Sequence, residues 1–157
     1  MSHRCPECGA LFDDPEGCWQ AFGALLEREF VDVAYGRVHH LTVTTYMLQH
    51  PTRLSRRGWL EMRELLRLHL RDGVSVAGWR SRVRSGGVNS AKGWKIKPDG
   101  TCLNAAVGWP WPITVASIAL EDPEVYGEQI QAWAASTLHE AEQILADPGM
   151  TQYTLAS

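Results

Sequence analysis

The chain has 157 residues, 45% of them hydrophobic and 21% charged, with 14 Gly, 8 Pro and 4 Cys. One ordinary domain fits that length and two hardly do, and the apolar fraction excludes wholesale disorder. Fifteen Lys plus Arg against eighteen Asp plus Glu give a formal net charge of -3, which argues against a general polyanion-binding surface while leaving room for a local basic patch. No uninterrupted apolar stretch approaches the roughly 18 residues a membrane helix needs, so no membrane partner is expected. Met1-Ser2-His3-Arg4-Cys5 lacks the apolar core of a secretory signal. The expected compartment is the cytoplasm, where thiols stay reduced.

Residues 1 to 14 read as a knuckle or loop around Cys5-Pro6-Glu7-Cys8-Gly9. Asp14 is a plausible N-cap with Pro15 at the first helical position. Glu16 to Phe30 reads as a helix, with Trp19, Phe22, Leu25, Leu26 and Phe30 on one apolar stripe. Asp32 offers the next cap. Tyr35 to Gln49 reads as a second helix from the spacing of Val38, Leu41, Thr45 and Leu48, although Leu41-Thr42-Val43-Thr44-Thr45-Tyr46 also suits a strand. His50-Pro51 ends it, because the residue before proline avoids the helical region.

Ser55 caps a third helix that stops at Asp72-Gly73, and Ser75 to Arg84 makes a weaker fourth. Residues 86 to 112 are rich in Gly and Pro and hold Trp94, Trp109 and Trp111. A stretch that long should pack down through its tryptophans or carry function. Lys97-Pro98-Asp99-Gly100 is a turn signal that could join Trp94-Lys95-Ile96 to Thr101-Cys102-Leu103 as a hairpin. Thr114 opens a short helix through Leu120. Asp122-Pro123-Glu124 opens the last helix, which runs to about Ala146 and stops at Asp147-Pro148-Gly149. The expected architecture is mainly α: a bundle of four to five helices with an N-terminal zinc knuckle and a Gly/Pro/Trp-rich loop region. Residues 1–149 make one helical domain, with the knuckle at 5–18, and residues 150–157 make a mobile tail.

Chemistry concentrates in Cys5-x2-Cys8. A knuckle of this spacing turns two thiolates to one point, and Gly9 relieves crowding behind them. Zinc takes four tetrahedral N or S ligands. Cys18, in the first turn of the first helix, is the natural third thiolate, and the fourth should be an imidazole because Cys102 is distant in sequence. His39, His40 and His50 are the candidates. His39 and His50 lie on nearly the same helix face but about 16 Å apart along a continuous helix, so they cannot share one ion. His39 is nearest in sequence. If the first two helices run antiparallel, His50 is the one beside Cys18.

The segments Cys5-Pro6-x-Cys8-Gly9-Ala10, Gly17-Cys18-Trp19 and Val38-His39-x-Leu41-Thr42-Val43-x-x-Tyr46-x-x-Gln49-His50-Pro51 resemble an uncharacterised bacterial family of small proteins. The resemblance covers roughly the first third of the chain. It implies that Cys5, Cys8, Cys18, His39 and His50 are motif positions, and it implies no activity. The chain departs from the family pattern at Thr44, where an acidic residue would follow Leu-Thr-Val, and in a last helix without a Trp- and His-rich ending. The resemblance favours His39 over His40 and does not decide between His39 and His50. We take His39 as the fourth ligand, because the first connection is short and the knuckle can fold over either end of the first helix.

The leading expectation is thus a zinc-binding protein whose metal, on Cys5, Cys8, Cys18 and His39, is structural, since four protein ligands close the site. An open fourth position would instead hold an activated water. That runner-up is a metal-dependent enzyme acting on a small-molecule ligand in an inter-helix pocket lined by His50, Tyr46 and the tryptophan-rich region. A redox Cys-x-x-Cys would sit at a helix start in a βαβ setting, which this pattern lacks. A third reading is a nucleic-acid-binding module built on Arg53, Arg56, Arg57, Arg63, Arg67, Arg71, Arg80, Arg82 and Arg84 with Lys92, Lys95, Lys97 and Trp94; the negative net charge weighs against it. His69 reads as a partly buried structural histidine, His139 as exposed and His3 as part of a mobile terminus.

Overall fold

The computed structural model describes residues 1–85 and 96–147. Among these the chain is mainly helical. Strands β1 (His3–Arg4) and β2 (Leu11–Phe12) form an antiparallel ribbon, and six helices follow: α1 (Gly17–Val31), α2 (Val33–Gly36), α3 (His39–Leu48), α4 (Arg56–Asp72), α5 (Val76–Ser85) and α6 (Pro123–Ala146). Single 3-10 turns lie at Pro51–Arg53, Asn104–Ala106 and Val115–Ser117.

Local chemistry sets most of the boundaries. The Asp32 carboxylate accepts the Ala34 N–H at the start of α2, and Ser55 Oγ accepts the Gly58 N–H at the start of α4. Asp122 accepts from Glu124 and Val125 ahead of α6, with Pro123 at its first position. These side chains satisfy donors that a helix start leaves orphaned. Gly73 closes α4 with φ +68°, a left-handed conformation that suits glycine.

Four expectations need correction. Asp14 accepts the Glu16 N–H in a local turn, and α1 begins only at Gly17. The second helix is broken: α2 ends at Gly36 and α3 begins at His39. Gly36 lies so close to α1 that a Cβ there would stand 2.8 Å from the Glu29 carbonyl oxygen. The expected helix from Thr114 shrinks to the turn Val115–Ser117, and Thr114 makes no side-chain cap. No strand forms at Thr101-Cys102-Leu103, and the Ile96 carbonyl accepts the Ser55 N–H at the head of α4 instead. The other hairpin residues, Trp94 and Lys95, and the tail 150–157 lie outside the described residues.

The helix α3 is central, packed against α6, α4 and α1. Leu41, Thr42, Thr44, Thr45, Tyr46 and Leu48 are all buried, on every side of it. A helix covered all round loses its one-sided apolar pattern, which explains why the β-branched run there reads equally well as a strand. Trp59 and Trp133 are the largest fully buried side chains. Trp59 Nε1–H donates to the Leu48 carbonyl at 2.9 Å, and Gln49 Nε2 donates to the Ile113 carbonyl at 2.8 Å and to Thr137 Oγ1 at 2.9 Å. The C-terminal end of α3 is thereby fastened to both α4 and α6. Trp111 is buried and Trp109 donates to Glu140 on α6 at 2.8 Å, so the Trp-Pro-Trp-Pro segment packs down on the last helix. In α1, Phe22 and Leu25 are buried, whereas Trp19 is 46% and Phe30 79% exposed. The buried face therefore runs Cys18, Phe22, Leu25, Glu29 rather than along the full expected stripe.

Candidate metal centre

The β1–β2 ribbon shapes the knuckle. Cys5 N–H donates to the Ala10 carbonyl at 2.8 Å and Gly9 N–H to the Cys5 carbonyl at 2.9 Å, with Gly9 at φ +79°. Only a residue without a Cβ takes that conformation at no steric cost. Two anchors then hold the turn against the helices. Glu7 Oε1 accepts from Thr52 N–H at 2.9 Å and Thr52 Oγ1 at 2.8 Å, and the Glu7 carbonyl accepts from Gly108 N–H at 2.8 Å. Phe12 of β2 covers Gly17, where a Cβ would stand 2.4 Å from the Phe12 Cβ and 2.7 Å from its ring Cγ. The residue after Gly17 is Cys18, which is thus delivered to the knuckle.

Cys5, Cys8, Cys18 and His50 meet there, with their four donor atoms all within 4.8 Å of one another. Cys8 Sγ lies 3.7 Å from Cys18 Sγ, and His50 Nε2 lies 3.6 Å from Cys5 Sγ and 3.2 Å from Cys18 Sγ. A tetrahedral zinc with ordinary bond lengths sets its sulfurs about 3.8 Å apart and its sulfur and nitrogen about 3.6 Å apart. The observed separations are close to the edges of that tetrahedron.

The imidazole is oriented for ligation. His50 Nδ1–H donates to the Tyr46 carbonyl at 2.7 Å, which leaves Nε2 with a lone pair facing the sulfurs. Its ring stacks on Tyr46 at 3.8 Å between centroids, and Tyr46 stacks on Phe22 at 3.8 Å. Cys8, Cys18 and His50 are buried and Cys5 is half-buried. Without a cation these groups perturb one another strongly. Hydrogen bonds from Cys18 and Cys8 lower the Cys5 thiol, while Cys18 and Cys5, followed by burial, raise that of Cys8. Burial works to lower His50, but hydrogen bonds to Cys18 and Cys5 outweigh it and push its pKa up to about 9. Burial, then the hydrogen bond to Cys18, raises the Tyr46 phenol. Thiols held this close are at odds over their protons, and a shared divalent cation removes the conflict by replacing them. A cleft of about 440 Å³ opens beside the cluster, with Trp19 at its wall and the Arg53 guanidinium 4.1 Å over the Trp19 ring.

His39 lies elsewhere. Its Nδ1–H donates to Glu29 Oε2 at 2.7 Å, and the other Glu29 oxygen accepts from Thr42 Oγ1 at 2.5 Å and from Tyr126 Oη at 2.6 Å. The expectation of His39 in the cluster is therefore corrected to His50. The reason is topological. Contacts pair Cys18 with His50, Phe22 with Tyr46, and Glu29 with His39, so α3 runs back along α1. Its first residue, His39, falls at the far end of α1, beside Glu29 and away from the sulfurs. Glu29 itself went unnoticed in the sequence. Its signal is there, a lone acid in register with Cys18, Phe22 and Leu25 on the buried face.

The remaining candidates also find other partners. Cys102 donates to Asn104 Oδ1 at 3.1 Å, outside the cluster. His3 belongs to β1 rather than to a loose terminus, and His139 is exposed. His40 Nε2 lies 3.3 Å from His69 Nε2. Burial, then the charges of His69, His39 and Arg80, lower the His40 pKa from 6.5 to about 4. The fold thus prefers neutral His40, and the unfolded chain protonates first as pH falls. This part of the stability is complete above about pH 6.5 and declines towards about pH 4. His40→Gln should flatten that part of the acid limb in melting curves recorded across this window; an unchanged slope would contradict the assignment. Glu124 and Glu128 on α6 and Arg37 also face the cavity beside His40.

Four arginines of the expected basic stripe are engaged in ion pairs. Arg67 pairs with Glu64 and Asp72, Arg63 with Glu64, Arg71 with Glu142 and Arg82 with Glu61. Lys92 and Trp94, which would complete the expected nucleic-acid surface, lie outside the described residues.

The pattern of a family of unknown function, DUF5946, matches residues 3–142. The chain belongs to that family. No curated protein and no solved structure matches it. The DUF5946 match spans the knuckle, all six helices up to the last turn of α6, and the cluster of three cysteines and a histidine. Among the described residues, no helix of this DUF5946 chain is long and apolar enough to cross a membrane.

Proposed function

We propose that this DUF5946 protein binds one zinc ion through Cys5, Cys8, Cys18 and His50, and that the metal is structural. The observation that carries the reading is the spacing of the four donor atoms, close to tetrahedral edges, together with the Tyr46 carbonyl that fixes the His50 tautomer. Three thiolates and an imidazole fill a tetrahedron and leave no position for a reacting water. The metal would therefore clamp the knuckle to the start of α1 and the end of α3, contributing folding energy. The biochemical role of the whole is a matter for the rest of the surface. Three thiolates kept as ligands suit a reducing compartment, which favours the cytoplasm, and we take residues 1–149 as one domain.

The test is metal analysis of the purified protein and two variants. Wild type and His39→Gln should each carry about one zinc per chain, and His50→Ala should carry much less. Full zinc in His50→Ala, or its loss in His39→Gln alone, would sink the assignment. The enzymatic reading keeps one support, the cleft beside Tyr46 and His50. It requires an open metal position, which a zinc-edge scattering measurement with fewer than four protein ligands would reveal.

A further inference from the structure

A second pair of metal-ligating side chains stands apart from the cysteine cluster. His40, at the start of α3, and His69, near the end of α4, bring their Nε2 atoms to 3.3 Å, with ring centroids 4.6 Å apart and planes crossed at 83°. Two imidazoles on one tetrahedral ion, at ordinary metal–nitrogen lengths, place their nitrogens about 3.3 Å apart. His69 is already set for ligation, because its Nδ1–H donates to the Val74 carbonyl at 2.8 Å and leaves Nε2 as a lone pair. His40 is held in its neutral form by burial and neighbouring positive charge, so its ring carries a lone pair at neutral pH. Both histidines line a cavity of about 520 Å³ whose other wall includes Glu124, Glu128 and Gln131 of α6. Glu124 and Glu128 set two carboxylates in the cavity against the positive charges of Arg37 on its lining and of Arg80 near His40.

We propose that His40 and His69 form a second metal site, a half-site that takes a divalent transition-metal ion of the zinc, cobalt or nickel class through paired imidazoles and leaves its remaining positions to water or a small anion in the cavity. Imidazole suits these metals, and a site with two protein ligands is open, unlike the closed cysteine cluster. Trp79 lies edge-on to the His40 ring at 5.4 Å between centroids and tilted against the His69 ring at 6.0 Å, so it reports on the site.

The experiment titrates Co2+ into full-length protein that already holds its N-terminal metal. We expect one further equivalent to bind, with visible tetrahedral bands, no thiolate-to-cobalt charge-transfer band, and quenching that disappears in Trp79→Phe. His40→Gln and His69→Gln should each weaken this binding at least about tenfold, the low end of what losing even an outer ligand partner costs. Exchange of the exposed His139 for Gln should change nothing. Failure to bind a further equivalent, wild-type binding by both glutamine variants, or cobalt found on sulfur alone would each overturn the proposal. The pair would then be a neutral imidazole–imidazole hydrogen bond. Loss of the cysteine-bound metal leaves this result intact, because the cobalt spectrum separates sulfur from nitrogen ligation.

Discussion

Cys18→Ser is expected to abolish metal binding and to lower the melting temperature by about 10 °C or more. Cys18 is the hub of the cluster: its sulfur is 3.7 Å from Cys8, 3.2 Å from His50 and 3.6 Å from the Tyr46 hydroxyl. A ligand present at about a thousand times its dissociation constant stabilises the fold by about 4 kcal/mol, and a chain of this size loses roughly 2–4 °C per kcal/mol. A strong chelator added to the wild type should reproduce the shift, whereas the serine variant should be insensitive to it. The knuckle tip is then tied down by the Glu7–Thr52 and Glu7–Gly108 hydrogen bonds, so limited proteolysis should cut first between β1 and β2. Equal melting temperatures for variant and wild type, with zinc retained, would defeat the structural-metal reading.

Glu29→Ala should cost about 3 kcal/mol, since it strands buried hydroxyls that each lose roughly 1–3 kcal/mol when left unpaired. Glu29 is 5% exposed and is the common acceptor for His39, Thr42 and Tyr126. Burial, then the hydrogen bond to Glu29, raises the Tyr126 phenol, so that hydroxyl stays a donor throughout the accessible pH range. Glu29→Gln keeps the shape and one acceptor oxygen, and should lose less. Chemical denaturation of the three proteins measures the order. Zinc content should be unchanged in both variants, because the network lies at the opposite end of α1 from the sulfurs. A fall in zinc on losing Glu29 would mean that His39, not His50, is coupled to the metal.

Much of this arrangement is written in local signals. Asp32, Ser55, Asp122-Pro123 and Gly73 mark helix ends because capping and left-handed turns are satisfied within a few residues of chain. Cys5-x2-Cys8-Gly9 announces its convergence for the same reason: the turn that aims both sulfurs is closed by its own backbone bonds. Cys18 follows from its place in the first turn of α1. The break at Gly36 was not legible, because it depends on the approach of the Glu29 carbonyl from another turn of chain. The failed helix at Thr114 shows the same limit, since a cap residue signals a start without supplying the packing that sustains a helix.

Residue types and spacing by themselves determined that this chain is mainly helical, that an N-terminal group of sulfurs converges, and that one imidazole should complete it. The direction in which α3 returns along α1 decided which imidazole. His39 and His50 carry the same chemistry, one at the first residue of α3 and the other just beyond its end. Only the antiparallel packing, which gives His39 to the buried Glu29 and brings His50 against Cys18, distinguishes the two. That choice lies in long-range contacts, where a periodic pattern carries no information about which end of a helix meets its neighbour.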